Sequence, residues 1–218
     1  MHNSVLNLID IENKLNIASK EYEKKPKIVA VSKTFHLEDI LPLLEYGHKN
    51  FGENKIQEAL TKWSEVKDKF KDLKLHMVGK VQTNKVKYLI PLFDYIHSLD
   101  NLKLAEKISK EEVKKNKKIK IFIQVNLGDE DQKNGIALKN LENFYNECKN
   151  NLNLDIIGLM CLPPKEEKPE KFFQKLKEHS LKYNLPDLSM GMSNDFEVAG
   201  KLGSTYVRIG SKIFGERT

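Results

Sequence analysis

A lysine follows directly on one of the most apolar short segments of the chain. Residues 28–31 comprise three β-branched residues and an alanine, and Ser32 and Lys33 come next. A run this short and apolar is typical of a strand that is buried on both faces. Lys33 should therefore lie at the carboxyl end of a parallel strand, where partial loss of water lowers the pKa of a lysine and favours the neutral amine that forms a Schiff base. The ordinary alternative is a strand-end lysine whose ammonium reaches solvent.

Two glycine-containing turns near the end of the sequence could bind an anion. Gly191 permits a tight turn before Ser193, whose hydroxyl and following amides would lie at the start of a helix, where anions bind. Taken alone, Ser193 is more simply explained as the N-cap of that helix. Gly210 and Ser211 form the second turn, directly after the last apolar segment. A hydroxyl beside backbone amides in both turns indicates a phosphate site.

Strand-like segments alternate with amphipathic helices about eight times along the chain, with short connections. Strict alternation predicts a parallel sheet, and eight units in about 200–250 residues fit a closed (β/α)₈ barrel, or TIM barrel, better than an open sheet. We therefore predict an α/β fold in which residues 1–218 form a single barrel domain. The segment 1–25 contains an extra leading helix, predicted over 4–23, which we expect to pack across the bottom of the barrel.

The boundaries of the other elements follow from the same periodicity. The predicted strands cover 28–32, 50–54, 75–79, 95–98, 119–126, 154–160, 188–192 and 205–209. The predicted helices cover 36–44, 55–70, 101–115, 138–150, 169–183 and 194–202, and one more begins at 85. Polar loops are predicted at 80–84 and 128–135.

In such barrels the chemistry takes place at the carboxyl ends of the strands. The side chains that the sequence puts there are mostly uncharged, with one lysine and one arginine: Lys33, Asn54, His76, Gln82, Asn84, His97, Asn126, Met160, Cys161, Met192, Ser193 and Arg208. The set contains no pair of carboxylates for acid–base catalysis and no cluster typical of a metal site. A phosphate in the two glycine turns and a lysine from the first strand together indicate pyridoxal 5′-phosphate (PLP), with Arg208 at the edge of its ring.

Composition excludes several classes of function. The chain has 37 Lys and Arg against 31 Asp and Glu, and its only arginines are Arg208 and Arg217. A nucleic-acid-binding protein usually uses more arginine. Cys148 and Cys161 lack metal-ligand spacing, and we see neither a signal peptide nor an apolar run of about 20 residues. We expect a cytoplasmic protein that binds neither nucleic acid nor membrane.

Five motifs occur in a fixed order along the chain. They are 30–34 (AVSKT), 51–54 (FGEN), 76–85 (HMVGKVQTNK), 188–193 (LSMGMS) and 207–215 (VRIGSKIFG). Together they resemble the motifs of the pyridoxal phosphate homeostasis protein family, also called the proline synthase co-transcribed homologues. The resemblance covers essentially the whole chain. It implies the fold-type III barrel of the N-terminal domain of alanine racemases, and PLP as the cofactor.

The resemblance also implies roles for individual residues. Lys33 would hold PLP as a Schiff base, and Arg208 would face its pyridine nitrogen. The phosphate would be bound by the turns that contain Met192, Ser193, Gly210 and Ser211, and Asn54 would lie near the cofactor. The chain departs from the family at Leu75, where an aromatic residue is common, and at Lys80 and Val81, which replace a His-Leu pair. The contacts of loop 80–85 are therefore not implied.

An arginine beside the ring nitrogen bears on the kind of chemistry. PLP is the strongest electron sink when its nitrogen is protonated, whereas Arg208 can only donate a hydrogen bond. A racemase tolerates this, but it needs a second base, which in alanine racemases is a tyrosine of an additional β-domain. The sequence ends at Thr218, so we expect that domain to be absent. Tyr46, Tyr95 and Tyr206 fit better as packing residues beside strands.

We therefore predict a PLP-binding protein that acts in intracellular PLP homeostasis or supply, without a defined catalytic reaction. PLP-dependent apo-enzymes are the candidate recipients, and a monomer is the simplest state. Two alternatives stay open: a racemase-like enzyme of weak or narrow activity, and a barrel that binds phosphorylated sugars or nucleotides without covalent chemistry.

Overall fold

The computed structural model describes residues 1–128, 134–164 and 166–216. Its centre is a closed barrel of eight parallel strands, which confirms the predicted TIM barrel. The barrel strands are β1 (Lys27–Val31), β2 (Asn50–Glu53), β3 (Lys74–Met77), β4 (Tyr95–Leu99), β5 (Lys120–Asn126), β7 (Asp155–Met160), β8 (Asp187–Ser189) and β9 (Tyr206–Ile209). A two-residue strand, β6 (Ile136–Ala137), pairs with the end of β5. The ring closes because β1 pairs with β9 and β4 pairs with β5.

Helices surround the barrel and connect consecutive strands. In the described ranges they are α1 (Asn3–Ala18), α2 (Leu37–Tyr46), α3 (Ile56–Trp63), α4 (Val86–Leu92), α5 (Leu102–Lys115), α6 (Leu138–Asn146), α7 (Pro169–Lys182), α8 (Phe196–Lys201) and α9 (Ser211–Phe214). None of these helices is long and apolar enough to cross a lipid bilayer.

Successive side chains of each strand point alternately into the barrel and out towards the helices. Val29, Phe122 and Tyr206 belong to a small apolar cluster inside the barrel. Ile28 and Ala30, which flank Val29 in β1, belong to the larger cluster between the strands and the helices. This alternation decides which side chains can reach a ligand at the mouth of the barrel and which can only contact a helix.

The leading helix α1 lies in the ring of helices and not across the bottom of the barrel, so that prediction was wrong. Near its start, Asn7 Nδ2 donates to the carbonyl oxygen of Ile213 at 3.0 Å, at the carboxyl end of the barrel. Near its end, Leu15 and Ala18 lie against Gly200, just before β9 begins at the opposite end. Helix α1 therefore runs antiparallel to the strands and packs against α2, α8 and α9. It fills the place that the four-residue helix α9 is too short to occupy.

Several element boundaries differ from the predicted ones for local reasons. The helix predicted over 55–70 ends at Trp63, and the hydroxyl of Ser64 then bonds back to the carbonyl oxygen of Leu60 at 2.7 Å. A short 3₁₀ turn at Lys67–Lys69 replaces its second half. Helix α6 ends in a π-helical turn over Glu147–Asn151. Most of the polar loop predicted over 128–135 lies outside the described residues.

Candidate functional site

Four adjacent strands, in the order β2–β1–β9–β8, bring the predicted site residues to one side of the barrel mouth. The residues that follow or end these strands are Asn54 after β2, Lys33 after β1, Arg208, Gly210 and Ser211 on and after β9, and Met192 and Ser193 after β8. The two central strands, β1 and β9, are in direct contact at this edge. The backbone of Gly210 lies against the carbonyl group of Val31. Segments far apart in the sequence thus form one continuous rim.

Lys33 lies in a tight turn just beyond β1 and is half-buried. The amide of Ser32 donates to the carbonyl oxygen of Gly52 at 2.9 Å, which extends the pairing with β2 by one step. Thr34 has a φ of 69°, a conformation that β-branched residues rarely adopt. Its amide donates to Glu58 Oε1 at 2.5 Å. Strain of this kind persists only where the surroundings hold it, and it often occurs at functional sites.

A buried ion pair behind the turn supplies that restraint. Glu53 is completely buried and faces outward from β2. Its Oε1 accepts hydrogen bonds from Ser32 Oγ at 2.8 Å, Lys62 Nζ at 3.0 Å and Trp63 Nε1 at 3.0 Å. Lys62 Nζ also donates to the carbonyl oxygen of Ser32 at 2.7 Å and to Glu58 Oε1 at 3.2 Å. Helix α3 thereby fixes the backbone on both sides of Lys33.

Neither Glu53 nor Lys62 has a role among the predictions from sequence, although a signal was present. Glu53 sits in the strand position that alternation turns towards the helices, and charged residues are seldom fully buried there without a partner. Lys62, the penultimate residue of the next helix, was the available counter-charge. The pair therefore serves the site indirectly, by shaping the turn and not by facing the mouth.

Asn54 is held at the rim by close backbone packing. A side chain at Gly79 would overlap the backbone oxygen of Asn54, so only glycine permits this approach. Ser98 Oγ donates to the carbonyl oxygen of Gly79 at 2.6 Å and fixes that segment. Asn54 Oδ1 is buried and accepts no hydrogen bond from the described residues. A buried acceptor without a donor is unusual, and a polar ligand would satisfy it.

The two glycine turns converge as predicted. Ser193 Oγ lies 3.1 Å from Ser211 Oγ, and the amide of Lys212 lies 3.5 Å from Ser193 Oγ. The first amides of a helix have no intrahelical acceptors, so the start of α9 presents donors beside the two hydroxyls. Met192 is 40% exposed on the same rim. This set of neutral donors suits a phosphate group.

Ser193 is not a helix cap, so the simpler explanation of this residue was wrong. Helix α8 begins at Phe196, and Asp195 occupies the N-cap position. Asp195 Oδ1 accepts a hydrogen bond from the amide of Met192 at 2.6 Å, which closes the turn without Ser193. Gly191 has a φ of 95°, and a side chain there would meet Ala199 Cβ at 2.6 Å. The turn therefore directs the hydroxyl of Ser193 towards Ser211.

Arg208 carries a buried positive charge. It is 5% exposed, and its guanidinium donates to Ser189 Oγ at 2.5 Å and to the carbonyl oxygen of Cys161 at 3.0 Å. Burial lowers its pKa to about 10, so it stays charged at neutral pH. Across the described residues it forms no ion pair with a carboxylate. A buried cation with only neutral acceptors suits a site for an anionic ligand.

His76 and His97 do not reach the mouth, which corrects their assignment to the strand ends. Both are completely buried inside the barrel, between Tyr95, Tyr206 and Phe122. Burial lowers the pKa of each well below the ordinary value of a histidine. Their strands place them one level below the rim, because β3 and β4 continue past them.

The other residues expected at the strand ends divide into buried and exposed ones. Met160 and Cys161 are buried, and burial raises the pKa of the Cys161 thiol to about 12. Gln82 and Asn84 are exposed on the loop before α4. Asn126 lies at the end of β5, where its Oδ1 accepts from the amide of Gly128 at 3.3 Å. Within the described ranges, no group of three or more His, Cys, Asp or Glu is placed to hold a metal ion.

None of the seven tyrosines lies on a loop that follows a barrel strand. Tyr95 and Tyr206 fill the lower part of the barrel, as predicted for packing residues, and burial raises the pKa of Tyr206. Tyr46, expected to pack beside a strand, is instead 48% exposed at the end of α2, at the opposite end of the molecule from the site.

Comparison with known proteins places the chain among PLP-related proteins. Residues 6–218 match the family described as alanine racemase, N-terminal domain. A pyridoxal phosphate homeostasis protein of Aquifex aeolicus (strain VF5) is 43% identical over 204 residues, which cover 89% of each chain. These matches confirm the family resemblance that the five motifs indicate.

Solved structures show the same fold. PipY of Synechococcus elongatus PCC7942, solved without PLP, has a TM-score of 0.88 and 28% identity, over 98% of this chain and 100% of that one. PipY solved with PLP bound has a TM-score of 0.82 and 29% identity, over 94% and 100%. An alanine racemase of Clostridium difficile 630 has a TM-score of 0.74 at 14% identity, over 99% of this chain and 57% of the racemase. The likeness to the racemase shows the fold alone.

Replacing Lys62 by methionine should strongly destabilise the protein. The lysine side chain is 7% exposed, and its loss leaves the buried carboxylate of Glu53 without a counter-charge. Breaking a buried pair in this way typically costs about 3–5 kcal/mol. The measurement is the free energy of unfolding from urea denaturation. Lys14→Met is the matched control, because Lys14 pairs with Asp10 on the surface and exposed pairs contribute little. Equal effects of the two substitutions would contradict this account of the turn.

Proposed function

The chain belongs to the pyridoxal phosphate homeostasis protein family, within the wider family of alanine racemase N-terminal domains, and on this premise we propose that it binds PLP through Lys33 and acts in PLP homeostasis. The observation that carries the proposal is the convergence of an amine, a buried arginine and two serine turns on one rim. The relationship to PipY, which has been solved with PLP bound, supports the same ligand.

Each part of the rim matches one part of the cofactor. Ser193, Ser211 and the amides after Gly210 and Met192 would bind the phosphate, since hydroxyl and amide donors form strong hydrogen bonds with a dianion. Arg208 would donate to the pyridine nitrogen, and Asn54 would use its unsatisfied Oδ1 beside the ring. Lys33 would bond covalently to the cofactor. When bound, PLP supplies a reactive aldehyde and an electron-withdrawing ring.

The protein residues favour holding the cofactor over turning over a substrate. Arg208 stays protonated and can only donate, so it does not protonate the ring nitrogen as a carboxylic acid would. Proton abstraction on the face opposite Lys33 needs a second base. The distribution of the tyrosines offers none at the rim. We therefore infer a carrier role. The alternative is a racemase-like activity, because the chain belongs to the family of alanine racemase N-terminal domains.

The carrier role also indicates partners, an oligomeric state and a cellular compartment. A carrier would deliver PLP to PLP-dependent apo-enzymes, and a rim on the outer end of a barrel gives such partners access. We infer a monomer as the simplest state. The cytoplasm is the compartment we infer, because both cysteines are buried and unpaired, as is usual in reducing surroundings.

Lys33→Ala should abolish covalent binding of PLP. The substitution removes the amine and leaves the phosphate turns intact. Wild type incubated with PLP should stay yellow after the free PLP has been removed, and reduction with borohydride followed by peptide mass spectrometry should locate the adduct on Lys33. Lys80→Ala is the control, because Lys80 is an exposed lysine of the same rim. A yellow Lys33→Ala protein with the adduct on another lysine would contradict the assignment, and a colourless wild type would favour the non-covalent alternative.

Ser193→Ala and Ser211→Ala should each weaken the binding of PLP about tenfold, since hydrogen bonds to a charged group contribute about 1.5–3 kcal/mol. The binding of pyridoxal, which lacks the phosphate, should stay unchanged in both variants. Titration by absorbance or fluorescence gives both dissociation constants. Equal losses for the two ligands would mean that the serines do not bind the phosphate.

The wild-type protein loaded with PLP should not accelerate exchange of the α-proton of amino acids. The reason is that Arg208 leaves the ring nitrogen unprotonated, which weakens the electron sink for both enantiomers. In addition, the tyrosines offer no second base for the face opposite Lys33. Proton NMR in deuterated water, with a panel of L- and D-amino acids and free PLP as the reference, measures the exchange. Exchange clearly faster than that of free PLP for any amino acid would support the racemase-like alternative.

A further inference from the structure

A continuous row of hydrogen bonds runs through the barrel interior beneath the site. Arg208 donates to Ser189 Oγ at 2.5 Å, and Ser189 Oγ lies 2.7 Å from His97 Nδ1. His97 Nε2 lies 2.9 Å from His76 Nδ1. His76 Nε2 lies 3.1 Å from Asn50 Oδ1, at the start of β2 near the bottom of the barrel. The row, which we call the interior chain, thus links the rim to the opposite end.

The interior chain can run in only one direction. A guanidinium has donors and no acceptor, so Ser189 Oγ must accept from Arg208. The hydroxyl is buried and has no third partner in the described part of the protein, so its own proton must point to His97 Nδ1. A neutral His97 then carries its proton on Nε2 and donates to His76 Nδ1. By the same reasoning His76 carries its proton on Nε2 and donates to Asn50 Oδ1.

The surroundings keep both histidines neutral. The rings of Tyr95 and Tyr206 face both histidines. The basic groups that lower the pKa of His76 are Lys27, His48, Lys67 and Lys74, and those that lower the pKa of His97 are His76 and Arg208. Because all of these groups are bases, they oppose a further positive charge. Burial acts in the same direction. Stacking fixes the orientation of both imidazole rings. His76 stacks on Tyr95 with 4.2 Å between ring centroids, and His97 stacks on Phe122 with 4.5 Å.

We propose that Ser189, His97 and His76 are positioning residues that hold the guanidinium of Arg208 in one orientation through neutral acceptors alone. This deepens the proposed function and rests on it for the identity of the ligand. A carboxylate in place of Ser189 would fix the arginine as well, but it would compete with the ligand for its donors and cancel its charge. A hydroxyl backed by two neutral imidazoles fixes the direction and leaves the positive charge to an anionic cofactor.

The proton positions can be read in the cofactor-free protein. Long-range proton–nitrogen correlation NMR of protein labelled with ¹⁵N-histidine distinguishes protonated from unprotonated ring nitrogens. Two histidines should show Nε2 protonated and Nδ1 as an acceptor, and both signals should disappear on substitution of their own residue, His97→Phe or His76→Phe. A doubly protonated ring, or a proton on Nδ1 of either residue, overturns the proposal.

The effect on the cofactor is tested with Ser189→Ala. We expect PLP to bind about tenfold more weakly, with a shifted visible absorbance band because Arg208 no longer holds its direction at the ring nitrogen. Tyr206→Phe is the matched control: Tyr206 is equally buried in the same interior and does not belong to the interior chain. Wild-type affinity and band in Ser189→Ala, or the same changes in both variants, would overturn the positioning role.

PLP binding and the direction of the interior chain can be disproved independently. If wild type takes up no PLP, the proposed function falls, while the histidine spectrum of the cofactor-free protein still decides the direction of the interior chain. If Ser189→Ala does not fold, the wild-type spectrum decides alone.

Discussion

The hydrogen bonds between β1 and β9 are the interaction on which the site depends. They pair Val29 with Arg208 and Ala30 with Ile209, so residues almost a whole chain apart in sequence become neighbours. Lys33 extends beyond one strand and the Gly210–Ser211 turn beyond the other. Because all barrel strands are parallel, their carboxyl ends meet at a single edge. Without closure of the ring the amine and the phosphate turns would lie at opposite edges of an open sheet.

A second constraint is that buried charges must be paired, and the charges outside and inside the barrel wall meet it in different ways. Outside the barrel, Glu53 and Lys62 neutralise each other, and both form hydrogen bonds with Ser32, next to Lys33. Inside, Arg208 has only neutral partners among the described residues. A buried ion is costly unless it is paired. Glu53 and Lys62 pair with each other within the protein, whereas the charge of Arg208 is left to be paired by a ligand.

The sequence predicted the barrel and the positions of Lys33, Ser193, Arg208 and Ser211 on one rim because these follow from strand order and from which residues end a strand. It could not separate the end of a strand from its interior. His76 and His97 were expected at the mouth, since periodicity marks a strand without fixing where its pairing stops. Ser193 was ambiguous for a related reason: whether a serine caps a helix depends on where the helix begins, here two residues later than predicted. The Glu53–Lys62 pair joins a strand to the following helix, a contact that single-segment patterns do not contain.

The place of α1 has a consequence for how the molecule is made. Its apolar face, formed by Val5, Leu8, Ile11 and Leu15, is buried in the ring next to α8 and α9, which come last in the chain. Helix α2 is synthesised soon after α1, but α8 and α9 leave the ribosome about two hundred residues later. The nascent chain therefore carries a partly uncovered apolar face until α8 and α9 have been synthesised, and the barrel cannot close its ring before β9. Contacts of such long sequence separation slow folding, so this fold assembles late and gains from any chaperone that shields its first helix.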